Sequence, residues 1–137
     1  MSNLTNNRKS ERGGAGVKLI IVLTVLITFA HAAYNYIPVA YEAENFKQEM
    51  STAVIQGVAM PGANLTATDA VRIKVQRAAV NNNLPSNALI EVKSANNVVQ
   101  AHVNYTKSIS IIPFGIYNYN YQFDNTATPT GFLFKSS

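Results

Sequence analysis

His31 is the only histidine between Leu19 and Tyr41, and this segment contains no Asp, Glu, Lys or Arg. A neutral imidazole there could ligate the metal of a haem or a chlorophyll. A bis-histidine haem would need a second helical His, whereas His102 lies in a run that alternates like a strand. The simpler reading of His31 is a polar contact to a neighbouring helix or to lipid headgroups, because it falls in the outer part of the segment. No cofactor is therefore expected, and a haem or chlorophyll contact through His31 is the alternative.

Other spacings offer catalysis little. The chain has no nucleophile elbow, phosphate loop or HExxH pair. Glu42, Glu44 and Glu49 follow the apolar segment and read as a solvated helix face rather than an acid–base pair. Tyr117, Tyr119, Tyr121 and Phe123 alternate with polar residues. That stripe could present a platform to sugar or peptide, but packing of one strand face explains it more simply. Asn64-Leu65-Thr66 and Asn104-Tyr105-Thr106 match a glycosylation sequon by pattern alone. There is no cysteine, which removes disulfides and thiolate metal sites. The chain is not expected to be an enzyme.

The apolar segment itself is the strongest signal. Its 23 residues, Leu19 to Tyr41, reach about 34 Å as a helix, enough for a hydrocarbon layer of about 30 Å. The stretch LIIVLTVLITFA alone contributes on the order of −4 kcal/mol of insertion free energy. A cleaved signal peptide would cut near Ala30-His31-Ala32, but the apolar character continues through AAYNYIPVAY, so a retained anchor is expected. Lys18 on one side and Tyr34, Tyr36 and Tyr41 on the other read as interfacial residues, and Ala30, Ala32 and Ala33 as small residues for helix packing.

Charge orients the anchor. Arg8, Lys9, Arg12 and Lys18 face only Glu11 before the segment, while the remainder is nearly balanced. The net charge of +4 thus reflects the leader and gives no nucleic-acid signal. It predicts a cytoplasmic N-terminus, a single pass through the inner (cytoplasmic) membrane and a periplasmic C-terminal part. The chain divides into a basic leader (1–18), a transmembrane helix (19–41) and a small exported domain (42–137). Residues 1–16 are polar and Gly-rich, and disorder is expected there when the chain is alone.

Beyond the anchor the periods are clear. Tyr41, Phe46, Met50, Ala53, Val54 and Val58 continue an amphipathic helix to Gly57 and the Met60-Pro61-Gly62 breaker, with a kink expected at Pro38. A second helix spans 68–81, capped by Thr66-x-x-Asp69 and stopped by Asn81-Asn82-Asn83. Three alternating runs follow, turned at Ala95-Asn96-Asn97 and Pro113-Phe114-Gly115. The expected fold is α+β, with two helices covering a three-stranded antiparallel meander.

The segment GVKLIIVLTVLITFAHAAYNYIP resembles the N-terminus of type IV pilins and pseudopilins, with Gly16 as the leader Gly and Val17 as the first mature residue. Val17 and Ile21 stand where that family usually has Phe and an acidic residue, and Lys18 adds a charge. The layout also resembles small, poorly characterised bacterial membrane proteins with an "IPVxY"-like helix end, here Ile37 to Tyr41. The resemblance implies a pilin-like helix-plus-sheet shape and no activity. The expected role is a non-enzymatic accessory or structural subunit of a larger membrane complex, of the kind common in respiratory and photosynthetic assemblies. Its partners would be other transmembrane subunits, the bilayer and an exported protein. The alternative is a pilin-like or pseudopilin-like subunit of a filament or secretion machine.

Overall fold

One helix serves two environments. A computed structural model describes residues 12–129. Arg8, Lys9, Glu11 and Lys135 lie outside that range. Helix α1 runs from Arg12 to Ala59 without a break, 48 residues or about 72 Å. It therefore includes 12–16, where the composition predicted disorder. Once the apolar run is helical, each added residue costs no new nucleus, so the helix extends back through the glycines. It also continues past Pro38 as a single element.

The two parts of α1 are buried differently. From Val17 to Phe29 the large apolar side chains are exposed all round; even Phe29 is 71% accessible. This is the one helix among the described residues long and apolar enough to cross a membrane. Further on, Val39, Ala43, Phe46, Met50 and Ala53 are buried at alternating spacings of four and three, with Val54 beside them four residues after Met50, which places them on one face.

Helix α2 (Ala67–Asn81) packs beside that face. Thr66 caps it: its Oγ1 accepts from the Asp69 backbone N–H at 3.1 Å and donates to the Asp69 carboxylate at 2.6 Å. At the other end Asn83 takes φ +51°, which lets Leu84 N–H reach the Ala79 carbonyl (3.0 Å) and Asn83 N–H reach Val80 (3.2 Å).

Strands β1 (Leu89–Ala95), β2 (Val98–Ile112) and β3 (Tyr117–Ala127) form an antiparallel sheet in chain order, with β2 central. Asn96 and Asn97, at φ +51° and +65°, make the two-residue turn between β1 and β2. Both positions need left-handed backbone, which Asn tolerates better than other side-chain-bearing residues. Val99, Ala101, Val103, Tyr105, Phe123 and Ala127 turn to the helices and complete the core. Phe123 stacks on Tyr105 at 4.9 Å and meets Phe46 edge-on at 5.5 Å.

The helices approach most closely at Gly57, where a Cβ would lie 2.6 Å from Val71 Cγ2 and 2.9 Å from the Val71 backbone. Gly57→Ala is expected to lower stability by about 1–2 kcal/mol, because displacing backbone outweighs the roughly 1 kcal/mol gained in helix propensity. Thermal unfolding in detergent measures it. Gly16→Ala, where the space is open, should cause no loss.

Candidate functional site

The chemistry-bearing residues that the fold brings together lie where the bare part of α1 meets the sheet. Asn35 is the link. Its Nδ2 lies 3.1 Å from the Ser110 carbonyl, 3.1 Å from the His31 carbonyl and 3.1 Å from His31 Nε2. An amide nitrogen only donates, so the contact to Nε2 is a hydrogen bond in the tautomer that carries its proton on Nδ1. His31 has a polar partner on its own helix, one turn away, where a neighbouring helix or lipid headgroups were expected. A metal at Nε2 would have to displace Asn35.

An aromatic cluster flanks this junction. The Tyr36 ring lies 6.3 Å from Tyr119 and 6.1 Å from Tyr121, tilted and edge-on respectively. Tyr36 is thus held against β3, whereas Tyr34 and Tyr41 are 79% and 67% accessible. Lys18, Ala30 and Ala33 are exposed, and Ala32 is half-buried. The aromatic stripe of β3 is packed in a graded way. Phe123 is in the core, Tyr121 half-buried, and Tyr119 and Tyr117 are increasingly exposed.

One turn and more outward, Glu42 accepts from Lys107 Nζ at 2.9 Å, with both side chains about one-third exposed. The solvated-face reading of the acidic residues therefore fails for Glu42, while Glu44 and Glu49 are exposed. Lys107 occupies a helix-facing position of β2, and the pair closes the gap between the layers. Burial pushes the Tyr105 phenol up to about 12, with Tyr121 and Glu42 adding to the shift.

The far face of the sheet carries a second polar group. His102 Nε2 lies 2.8 Å from the Asp124 carboxylate, and Asn104 donates to it at 3.1 Å. These two hydrogen bonds hold the Asp124 carboxyl below the usual range. Lys93 does the same for Glu91 at 2.8 Å. All of these groups are on the open surface. Among the described residues no group of three His, Cys, Asp or Glu is arranged to hold a metal ion. The clefts are shallow; a groove of about 400 Å³ between α1 and α2 is lined by Gln48, Glu49, Gln56, Lys74 and Arg77.

Two features escaped the sequence. Asn35 stands four residues after His31 in a segment otherwise read only for hydropathy, and that spacing was its signal. The second is the conformation of the β2–β3 turn, whose place the sequence marks and whose shape it does not. There Pro113–Gly115 form a 3-10 turn, and Phe114 is 98% accessible at φ +65°. No protein-family model, curated protein or solved structure shows a significant match to the chain.

Two outcomes test this geometry. Asn35→Leu keeps the bulk but leaves the Ser110 carbonyl and His31 Nε2 without their donor, so a loss of about 1–3 kcal/mol is expected in detergent unfolding. Tyr105→Phe reports on pH. The folded phenol titrates above the unfolded one, so its contribution is intact below pH ~10 and is lost as pH rises towards ~12. Over that window the wild type should lose up to about 2 kcal/mol that the Phe variant keeps.

Proposed function

We propose that this chain is a non-enzymatic, single-pass subunit of a larger membrane assembly, with its N-terminus cytoplasmic and its helix–sheet layer outside. The observation that carries the reading is the double use of α1. From Val17 to Phe29 ten large apolar side chains lie exposed, and the same helix then supplies part of the core of the outer layer. Exposed aliphatic surface of this extent is stable in lipid or against other apolar helices, and not in water.

The helix offers a second protein a place to pack. Ala30 and Ala33 lie three residues apart and are uncovered, so another helix could approach closely there. Ala32 is turned instead to the sheet side.

A pilin-like filament subunit is the second reading. Its support is the shape: a long helix, bare in its inner part and packed on an antiparallel sheet in its outer part.

The absence of native cysteine makes the topology simple to test. In cells, Ser94→Cys should react with an impermeant maleimide without lysis, and Ser10→Cys only after lysis. A photo-crosslinking residue at Ala33 should give an adduct with a different membrane protein. Adducts with lipid alone would defeat the subunit reading. An intact mass beginning at Val17, with Ala33 adducts only between copies of the chain, would favour the filament.

A further inference from the structure

The end of the β2–β3 hairpin is a second membrane contact: we infer that the turn carrying Phe114 enters the outer leaflet beside the anchor helix. This rests on the reading of α1 as a membrane span.

The inference begins with register. Strand β2 runs back along α1 towards the bare part of the helix. Phe46 meets Phe123, which pairs with Tyr105, and Asn35 meets Ser110. Eleven residues of helix and five of strand each cover about 16–17 Å, so the two run side by side. Beyond Ser110 the strand has still to reach Ile112 and the turn. That carries the tip one to two helical turns below Asn35, to the level of Thr28 and His31. Accessibility agrees: from Gly13 to Tyr34 every residue is exposed except Thr28, His31 and Ala32, which lie in line below Asn35 on the hairpin side.

The membrane must extend to the same level. A hydrocarbon layer of about 30 Å that begins at Arg12 ends near Ala32, and one that begins at Lys18 ends near Pro38. Under either choice the tip lies at or inside the outer boundary.

Its composition fits lipid. The stretch Ile-Ile-Pro-Phe-Gly-Ile-Tyr from 111 to 117 has no charge. Phe114 is 98% accessible, Ile116 72% and Tyr117 53%. Phe114 holds a left-handed backbone at φ +65°, a position that Gly or Asn fills at less cost. The turn therefore gains nothing from Phe, and its ring has no partner within the core. An interfacial depth of about 5–10 Å is what such a loop can occupy while its backbone stays near water. Tyr36 and Tyr119, whose rings meet at a tilt just above, sit where aromatic rings favour the headgroup level.

The chain has no tryptophan, so Phe114→Trp provides a unique reporter in the full-length protein. It would be reconstituted in phosphatidylcholine–phosphatidylglycerol vesicles with and without brominated acyl chains. Phe29→Trp reports the span and Val80→Trp on α2 reports the aqueous surface. Bromolipid should quench Phe114→Trp and Phe29→Trp to a similar degree and leave Val80→Trp unchanged; Ile116→Trp should repeat the Phe114 result. Quenching at Phe29 without quenching at Phe114 and Ile116 would overturn the inference while the span stands. A blue-shifted but unquenched Phe114→Trp would place protein on the tip and overturn it equally. Failure of quenching at Phe29 would remove the span, and the inference with it.

Discussion

Everything else in this structure depends on the rigid register between α1 and β2. Helix rises about 1.5 Å per residue and strand about 3.3 Å. The contacts at Phe46–Phe123, Glu42–Lys107 and Asn35–Ser110 lie on consecutive levels of both elements. They set the height of the sheet on the helix, and thereby its height above any bilayer that the helix crosses. A slip of one residue in β2 would turn Val103 and Tyr105 outward and Asn104 inward. Burial of the odd-numbered face prevents it.

Close packing of the helices supports that register from behind. Gly57 and the small residues Ala53, Ala70, Ala78 and Ala79 let α2 lie against α1, so that both can cover the same face of a narrow sheet. Phe46, Met50 and Val54 then fill the space between the helices and β2 with no accessible surface left. A domain without disulfides keeps its shape through this apolar layer. Its polar contacts lie at the edges, where Glu42–Lys107 and the Asp124 cluster are partly or wholly solvated and contribute little each.

Periodicity made most of this legible. The alternation at 99, 101, 103 and 105 and the three-four spacing at 46, 50, 53 and 54 each have one structural solution, and the Thr66 cap and the Asn turns mark where they end. What escaped depended on pairing across layers. Lys107 breaks the apolar alternation of β2, and only the arrival of Glu42 from α1 explains it. The alternation of odd positions in β2 does not run through to Ile111, because the register shifts between Ser110 and Ile112. Tyr36 was grouped with Tyr34 and Tyr41 because hydropathy does not record direction around a helix. His31 drew attention through its chemistry, while Asn35, which ties it to the sheet, looked like one more polar residue.

Polarity along α1 follows from where the backbone can be satisfied. From Leu19 to Phe29 every side chain is apolar except Thr24 and Thr28, whose hydroxyls donate back to the Ile20 and Thr24 carbonyls. His31 and Asn35 then bring the first side-chain polarity that reaches beyond the helix, bonded to each other and to Ser110. Pro38 has no N–H to offer the Tyr34 carbonyl, an omission that is costly in hydrocarbon and cheap beside water or headgroups. Tyr34 is among the most accessible residues of the helix. Glu42 and Lys107 follow one turn beyond. Such a sequence of groups admits a water-to-lipid boundary only in the interval between Phe29 and Pro38. That interval also contains the level reached by the hairpin, so on the proposal that α1 spans a membrane the sheet would meet the membrane plane rather than stand clear of it. An apolar turn in place of a charged one is what that meeting requires.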